Sequence, residues 1–464
     1  MENWEQTLGT GPLLGLAAGA IALILALVVI FKVHAFVALV VVSAVTAIAA
    51  GIPIDQVMPT LLSGFGGTLG TVALLVGLGA MIGRLAERSG GAQSLADAMI
   101  KKFGEDKAPL ALSVASLIMG FPIFFDAGLI VMLPVIFAVA RRLSGNILAY
   151  ALPAVGAFAA MHAMVPPHPG PVAASEFFGA DVGLVLLVGL IVAIPAWYVS
   201  GYLLGKWAGK KYPLPVPDIL IGEELAPEDA PKSPATAIEV IFVLLLPMLL
   251  IFGNTGLSTL ATAGHIDGDS MLVKTFVFLG ETPIALLITT IVAMAVFGAR
   301  HGMTKEGVEK LMEGALGPIC SVVLITGAGG MFGGVLRTSG IGDALAGSME
   351  SLGLAPFFAA YLVAIALRVA QGSATVALTT AAALMAPAVE AANYGSLQLA
   401  LLVVATGSGA VMFSHVNDSG FWLVGRLLGM DLKTTFKTWT LMETIIGFLG
   451  FLFTGAAFLI TTLI

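Results

Sequence analysis

The chain has 464 residues, of which 58% are hydrophobic and only 11% are charged. A soluble protein of this length needs a much more charged surface, so the composition excludes a soluble fold. The net charge of −7 comes without any basic cluster interleaved with aromatic residues, which excludes nucleic acid as a partner. With a mean hydropathy of +1.02, the long apolar stretches are expected to face a lipid bilayer.

The first apolar run and the single cysteine give two further expectations. Glu2 and Glu5 precede residues 11–31, whereas a secretory signal begins with basic residues, so this run is interpreted as a retained membrane span. Cys320 lies in an apolar stretch, and one cysteine excludes a disulfide framework or a thiolate metal cluster. We expect a buried structural thiol there, and neither a cofactor nor a metal.

Apolar segments then follow one another, and many reach the ~20 residues that cross ~30 Å of hydrocarbon. They lie near 11–31, 33–51, 69–87, 108–120, 124–140, 147–165, 182–205, 235–253, 274–298, 317–336, 354–369, 374–389, 397–413 and 438–464. The stretch 212–234 is rich in Pro, Asp and Glu, which is typical of a polar linker. It divides the chain into a first membrane half, 1–211, and a second, 235–464, with the linker in the cytoplasm.

The two halves resemble each other when the first is shifted by 250 positions. Gly79, Met81, Gly83, Ser89 and Gly90 then fall on Gly329, Met331, Gly333, Ser339 and Gly340. A register without gaps over so long a stretch predicts an internal repeat, which is a common plan among transporters. Five predicted spans separate equivalent points, and an odd number inverts the second copy.

Two pairs of apolar segments, 108–120 with 124–140 and 354–369 with 374–389, are short for a full crossing. Polar or helix-breaking residues interrupt each pair, at 120–128 and at 371–375. We predict re-entrant hairpins; the alternative is two ordinary crossing helices joined by a loop. Lys and Arg flank both ends of the first pair, which favours a hairpin entered from the cytoplasm. The predicted fold is an all-α polytopic membrane protein of inverted repeats, with about ten spanning helices, two re-entrant hairpins and two broken helices.

Ionisable residues at membrane depth cost about 2.5–3.5 kcal/mol each and therefore need a functional or pairing reason. Asp126 lies at the first hairpin tip, where its carboxyl could accept a proton or bind substrate hydroxyls; the alternative is an N-cap for a helix at 127–140. Arg368 precedes the second break, and its guanidinium suits a carboxylate. The alternatives for Arg368 are a structural ion pair and snorkelling to the surface.

The second break supplies amide, hydroxyl and open backbone N–H groups from Gln371, Gly372, Ser373 and Thr375. A helix that starts after Gly372 would direct its positive end at an anion. A polar turn without further function is the alternative.

A third break contains four prolines between Met161 and Pro171, so the span must unwind there. His168 and, more weakly, His162 are candidates to carry a proton, since imidazole titrates near neutrality; a structural histidine is the alternative. The fourth break is 414–420, where the shift by 250 places Asp418 on His168. Either could carry a proton, and a helix cap is the alternative for Asp418.

The runs GFPIFFD (120–126), HAMVPPHPG (162–170), RVAQGSATVA (368–377) and SHVNDSG (414–420) resemble those of the gluconate permease family of bacterial proton symporters. The resemblance covers essentially the whole chain. It implies gluconate:proton symport across the inner membrane and an ion-transporter-superfamily fold with a scaffold domain and a transport domain that carries the hairpins. Members of that family also resemble carriers of glycerate, fructuronate and D-serine, so the substrate stays open.

The expected partners are a sugar acid anion, a proton, the bilayer and a second copy in a homodimer. The expected substrate-binding residues are Phe121, Pro122, Asp126, Arg368, Gln371, Gly372, Ser373, Thr375, Ser414 and Asn417. The expected proton-coupling residues are Asp126, His162, His168 and Asp418. A sodium-coupled carboxylate carrier is the first rival. An intramembrane enzyme is a remote one, since no His-Glu-x-x-His or paired cysteine motif occurs.

Overall fold

The computed structural model describes residues 4, 6–143, 146–217, 232–262, 265–344, 348, 355–415 and 418–463. Within these ranges the chain is helical, with no strand. The helices of the first half are α1 (Thr10–Leu25), α2 (Ala35–Ala49), α3 (Ile54–Arg88), α4 (Gly91–Phe103), α5 (Ala108–Met119), α6 (Phe125–Leu143), α7 (Ile147–Met164), α8 (Pro169–Phe178), α9 (Val182–Trp197) and α10 (Leu204–Lys211). Most of the predicted linker, 218–231, lies outside the described residues.

The second half follows the same style of long apolar helices with short connections. Its helices are α11 (Ala237–Thr262), α12 (Met271–Leu279), α13 (Thr282–Ala293), α14 (Lys305–Thr338), α15 (Pro356–Gln371), α16 (Ala374–Ala391), α17 (Ser396–Val411), α18 (Ser419–Leu427), α19 (Leu432–Thr435) and α20 (Leu441–Leu463). Short π-helical segments extend or join some of these, at Ala26–Ile30, Tyr198–Leu203, Met294–Gly298 and Phe436–Thr440.

Seven helical stretches in the described part of the chain are long and apolar enough to cross a membrane. They are Ile54–Arg88, Ile147–Phe178, Val182–Lys211, Ala237–Ser258, Thr282–His301, Ala374–Ala391 and Leu432–Thr462. Four shorter apolar helices accompany them: Thr10–Ile24, Phe36–Ala49, Pro356–Val369 and Ser396–Val411. The all-helical polytopic fold is therefore confirmed, while the count of about ten spans stays a prediction.

Helices α3 and α14 cross with their backbones in contact. A Cβ added to Gly64 would lie 2.4 Å from the carbonyl oxygen of Gly330, and one added to Gly330 would lie 2.3 Å from the hydroxyl oxygen of Thr68. Small residues let helices approach this closely where the bilayer supplies no hydrophobic drive between them. Farther along α3, a Cβ on Gly83 would meet the carbonyl of Pro122 at 2.9 Å, so α3 also packs against the α5–α6 break.

Burial separates the central helices from those that face lipid. In the 18-residue apolar window of Ile147–Phe178, the stretch that holds α7 and α8, 89% of the residues are buried, and in Ala374–Ala391 72% are buried. The apolar windows of Ala237–Ser258 and Leu432–Thr462 are only 28% buried. The interrupted helix α7–α8 therefore lies inside the protein, where its freed backbone groups can find partners.

The four predicted breaks fall where helices end and restart. They separate α5 from α6 at 120–124, α7 from α8 at 165–168, α15 from α16 at 372–373 and α17 from α18 at 412–418. Gly372 has φ +84°, a left-handed conformation that favours glycine. These bounds fit the sequence prediction closely, because proline and glycine act on the local backbone.

The alternative interpretation of Asp126 and the expectation for Cys320 are wrong. Helix α6 begins at Phe125, so Asp126 lies inside its first turn and is not an N-cap for a helix starting at 127. Cys320 is exposed on α14 and is not a buried structural thiol. Cys320 lies on the outer face of its helix. Its burial was misjudged because an apolar sequence neighbourhood does not distinguish a lipid-facing position from the protein interior.

The α3–α14 crossing predicts that Gly330→Ala will destabilise the protein by about 1–3 kcal/mol, because the added methyl overlaps Thr68 and the Gly64 carbonyl. The matched control is Gly317→Ala on the same helix, where an added Cβ has no neighbour within 4 Å. We expect a lower midpoint of thermal unfolding in detergent for Gly330→Ala only. Equal midpoints for the two variants would show that the crossing can relax.

Candidate functional site

Arg368 lies in the last turn of α15 and is only 2% exposed. Its Nη1 donates to the carbonyl of Gly372 in the adjacent break. Its Nη2 donates to Oδ2 of Asp418 at 2.5 Å and lies 3.6 Å from Oε2 of Glu443. Arg368 therefore forms a buried ion pair and does not snorkel to the surface.

Asp418 is the N-cap of α18, and its carboxylate is well supplied with donors. Oδ1 accepts the backbone N–H of Gly420 at 2.9 Å. Oδ2 accepts from the Ser414 hydroxyl as well as from Arg368. Ser414 in turn accepts the indole N–H of Trp439 at 2.7 Å, so the fourth break is tied to the segment before α20. Asp418 thus caps a helix and pairs with Arg368 at the same time.

Glu443 is the functional candidate that the sequence reasoning missed. It lies in the first turn of α20, and it is 3% exposed. Within the described part of the chain its Oε1 has no hydrogen-bond partner. The signal was available, since Glu443 is the only charged residue in the apolar segment 438–464 and such residues need a reason to be there.

Two histidines link the other breaks to one another. His168, the N-cap of α8, is buried, and its Nε2 donates to the carbonyl of Gly120 at 2.8 Å. Because a carbonyl can only accept, this nitrogen carries the hydrogen. His162, on α7, has its Nε2 3.2 Å from the hydroxyl oxygen of Thr375 on α16. The two imidazole centroids are 4.8 Å apart, so the α7–α8 break touches both the α5–α6 break and the start of α16.

Asp126 joins the same region from the first turn of α6. Its neighbour Phe125 packs on Trp439 with ring centroids 5.3 Å apart, and a Cβ on Gly420 would lie 3.6 Å from the Phe125 ring. The charge of Asp418 acts on the Asp126 carboxyl, which is itself exposed. The start of α6 therefore lies beside the start of α18.

The remaining predicted substrate-binding residues differ in position and burial. Ser373 is the N-cap of α16 and accepts from the N–H of Val376 at 3.3 Å. Phe121 is buried in the hydrophobic core, and Pro122 is buried against α3. Gln371 ends α15, but its side chain lies outside the described residues, as does the whole of Asn417.

A narrow cleft lies where α7, α8, α16 and α17 meet. Its lining includes His162, Gly170, Thr375 and Gly407. Helices α8 and α16 start at this cleft, and helix N-termini favour negative charge. Among the described residues, no three His, Cys, Asp or Glu side chains converge in a way that could hold a metal ion. The arrangement suits an organic anion: one buried cation, helix N-termini, hydroxyls and imidazoles.

The chain matches the model of the family described as GntP family permease over residues 11–460. It is 38% identical to the inner membrane permease YgbN of Escherichia coli, over 96% of this chain and 98% of that protein. It is 38% identical to the gluconate permease of Bacillus subtilis, over 95% of this chain and 97% of that protein.

A solved structure resembles the fold as well. The YdaH transporter of Alcanivorax borkumensis matches with a TM-score of 0.61 at 16% identity, over 91% of this chain and 98% of that one. At this identity the likeness indicates a common fold and no more.

The buried pair predicts a strong energetic coupling between Arg368 and Asp418. Arg368→Met leaves Asp418 and Glu443 buried without their cation and is expected to destabilise the protein by about 3–5 kcal/mol. Asp418→Asn added to it should recover part of that loss, a coupling of about 0.5–3 kcal/mol in a double-mutant cycle. Thermal unfolding of the four purified proteins in detergent measures it.

The control cycle uses Lys274 and Asp269, a pair of similar geometry at the surface, with N and O 2.8 Å apart. We expect no coupling between them, because water and salt screen exposed charges. Additive effects at Arg368 and Asp418 would contradict the buried ion pair.

Proposed function

This chain belongs to the GntP permease family and is a multi-pass inner-membrane permease, not an enzyme; on that premise we propose that it takes up gluconate or a related sugar acid together with a proton. The single observation that carries the proposal is Arg368, buried where broken segments of the chain meet. It is the one buried Arg or Lys in the described part of the chain. A guanidinium matches the carboxylate shared by all sugar acids.

We infer an architecture of two inverted repeats, with about ten spanning helices, two re-entrant hairpins and two broken helices. The helix bounds support it: Ile54–Arg88 shifted by 250 positions becomes 304–338, and α14 is Lys305–Thr338. The same shift carries the N-cap of α8, His168, onto the N-cap of α18, Asp418. The halves are 1–211 and 235–464, joined by the linker 212–234.

The polyol part of a sugar acid needs hydrogen-bond partners beside the cation. Thr375 and His162 lie on the cleft, and Ser373 opens α16 next to it. Asp126 offers an exposed carboxyl at the start of α6. Phe121, Pro122, Gln371, Gly372, Ser414 and Asn417 complete the proposed substrate site.

A proton is a suitable coupling ion for a monoanionic sugar acid, because the two together carry no net charge. A monoanion that moves with one proton feels only the pH gradient, whereas a second proton would add about 2.3 kcal/mol per 100 mV of membrane potential. Asp126, His162, His168 and Asp418 lie around the meeting point of the breaks and are the candidates to carry the proton. The loaded site would then open to the cytoplasm by movement of the helices that carry the hairpins.

The decisive measurement is uptake of labelled gluconate by proteoliposomes. An imposed pH gradient, acid outside, should drive accumulation, and Arg368→Gln should reduce uptake at low substrate concentration about 30-fold or more, because a buried charge partner is lost. Arg337→Gln, an exposed arginine of α14, is the control and should leave uptake unchanged. Uptake that ignores the pH gradient would overturn proton symport, and unchanged affinity in Arg368→Gln would overturn its carboxylate role.

The first rival is coupling to sodium, which hairpin carbonyls and hydroxyl oxygens can bind. In proteoliposomes at equal pH on both sides, we expect a sodium gradient to drive no accumulation. Sodium-driven accumulation would favour the rival. Competition by glycerate, fructuronate and D-serine in the same assay ranks the substrates.

A further inference from the structure

Glu443 is a buried carboxyl that faces Arg368 without making a hydrogen bond to it. The 3.6 Å between Glu443 Oε2 and Arg368 Nη2 is an ion-pair distance, longer than a hydrogen bond. In the described residues Oε1 of Glu443 and Nε of Arg368 are both buried and both lack a hydrogen-bond partner. The Glu443 carboxyl and the Arg368 guanidinium therefore each keep one buried atom that could still make a hydrogen bond.

The charges of this site do not balance when both acids are ionised. Arg368 brings one positive charge, while Asp418 and Glu443 bring one negative charge each, so the net charge is −1. A sugar acid carboxylate bound to Arg368 would change it to −2. Uptake of one proton by either acid restores −1, and burying an uncompensated charge costs several kcal/mol. Anion and proton are thus expected to bind together.

The donors around the two acids indicate which one takes the proton. The oxygens of Asp418 already accept hydrogen bonds from the Gly420 N–H, the Ser414 hydroxyl and Arg368. Glu443 is buried but accepts no hydrogen bond from the described residues, and burying a carboxylate without hydrogen bonds is costly. A proton on Glu443 removes that cost, so Glu443 is the better proton acceptor of the two.

The titratable groups around Glu443 are consistent with Glu443 as the group that takes up the proton. Arg368 and Asp418 are the charged groups that act on it. Asp126 interacts with the charge of Asp418, and His162 with the charges of Arg368 and His168. His162 also lies 3.2 Å from the Thr375 hydroxyl, and His168 donates to the Gly120 carbonyl, so both imidazoles have contacts of their own.

We propose that Glu443 takes up the coupling proton and thereby controls Arg368: while ionised it is the second counter-ion of the guanidinium, and once protonated it yields that place to the substrate carboxylate. A hydronium ion from the aqueous phase gives its proton to a carboxylate oxygen of Glu443: one O–H bond of hydronium breaks, one O–H bond forms on the carboxyl, and a water molecule is released. Arg368 keeps Asp418 and Gly372 and turns its unused donors to the substrate. This inference rests on the proposed function, and it adds both the proton carrier and the reason for coupling.

The test compares Glu443→Gln, a neutral mimic of the protonated acid, with the wild-type protein in detergent and in proteoliposomes. In the wild type, gluconate affinity should weaken up to tenfold per pH unit in the upper part of a pH 5.5–8.5 series. In Glu443→Gln the affinity should not depend on pH, and gluconate–gluconate exchange should be detectable at every pH of the series. Accumulation driven by the pH gradient should be lost.

Two further variants control the result. Glu390→Gln, an exposed glutamate at the end of α16, should match the wild type in all three assays. Glu443→Asp keeps a carboxyl at a shifted distance from Arg368 and should keep the pH dependence with a displaced midpoint. If Glu443→Gln does not fold, the Asp variant decides, and an undisplaced midpoint overturns the proposal.

The outcomes separate this inference from the proposed function. A wild-type protein without sugar acid binding or pH-driven accumulation would remove the proposed function itself. A wild type that passes, beside a Glu443→Gln variant with the same pH dependence and accumulation, overturns only the role of Glu443. A folded Glu443→Gln protein that binds no gluconate at any pH overturns it too, since the neutral amide should favour binding.

Discussion

A guanidinium taken out of water must be compensated where it is buried, and Arg368 imposes that requirement on the centre of this permease. Asp418 and Glu443 supply the negative charge, and the Gly372 carbonyl supplies an acceptor. Both Asp418 and Gly372 stand at breaks: Gly372 follows the end of α15, and Asp418 is the N-cap of α18. The interruption of the helices and the burial of the charge are therefore one structural solution.

Backbone groups freed by a break need partners as much as a charge does. The α7–α8 break supplies such a partner to its neighbour: His168 donates to the Gly120 carbonyl of the α5–α6 break, and the His162 side chain lies beside the Thr375 hydroxyl at the start of α16. Each such contact also fixes the distance between two breaks. Hydrogen bonding among buried polar groups thus brings together the side chains that a hydrophilic anion and a proton require. The rest of the fold is built from apolar helix faces.

Sequence reasoning succeeded where the physics is local. Four prolines in eleven residues end α7, and Gly372 in a left-handed conformation ends α15, whatever surrounds them. Arg368 and Asp418 stood out because charge is rare in apolar segments. The same rule applied to Glu443, but its segment has no break to attract notice. Cys320 and the first turn at Asp126 were misjudged, since lipid exposure and the first residue of a helix depend on neighbours in space.

Hydropathy and backbone restriction act over a few residues, so an all-helical membrane protein, its helix breaks and the charges in its apolar segments can be read from the amino-acid order. The three-dimensional fold sets the pairing of Arg368 with Asp418, fifty residues away, and its approach to Glu443 on another helix. It also decided that Asp418 is saturated with donors while Glu443 is not. Those differences arise from which side chains packing brings within 4 Å, and no one-dimensional pattern encodes that distance.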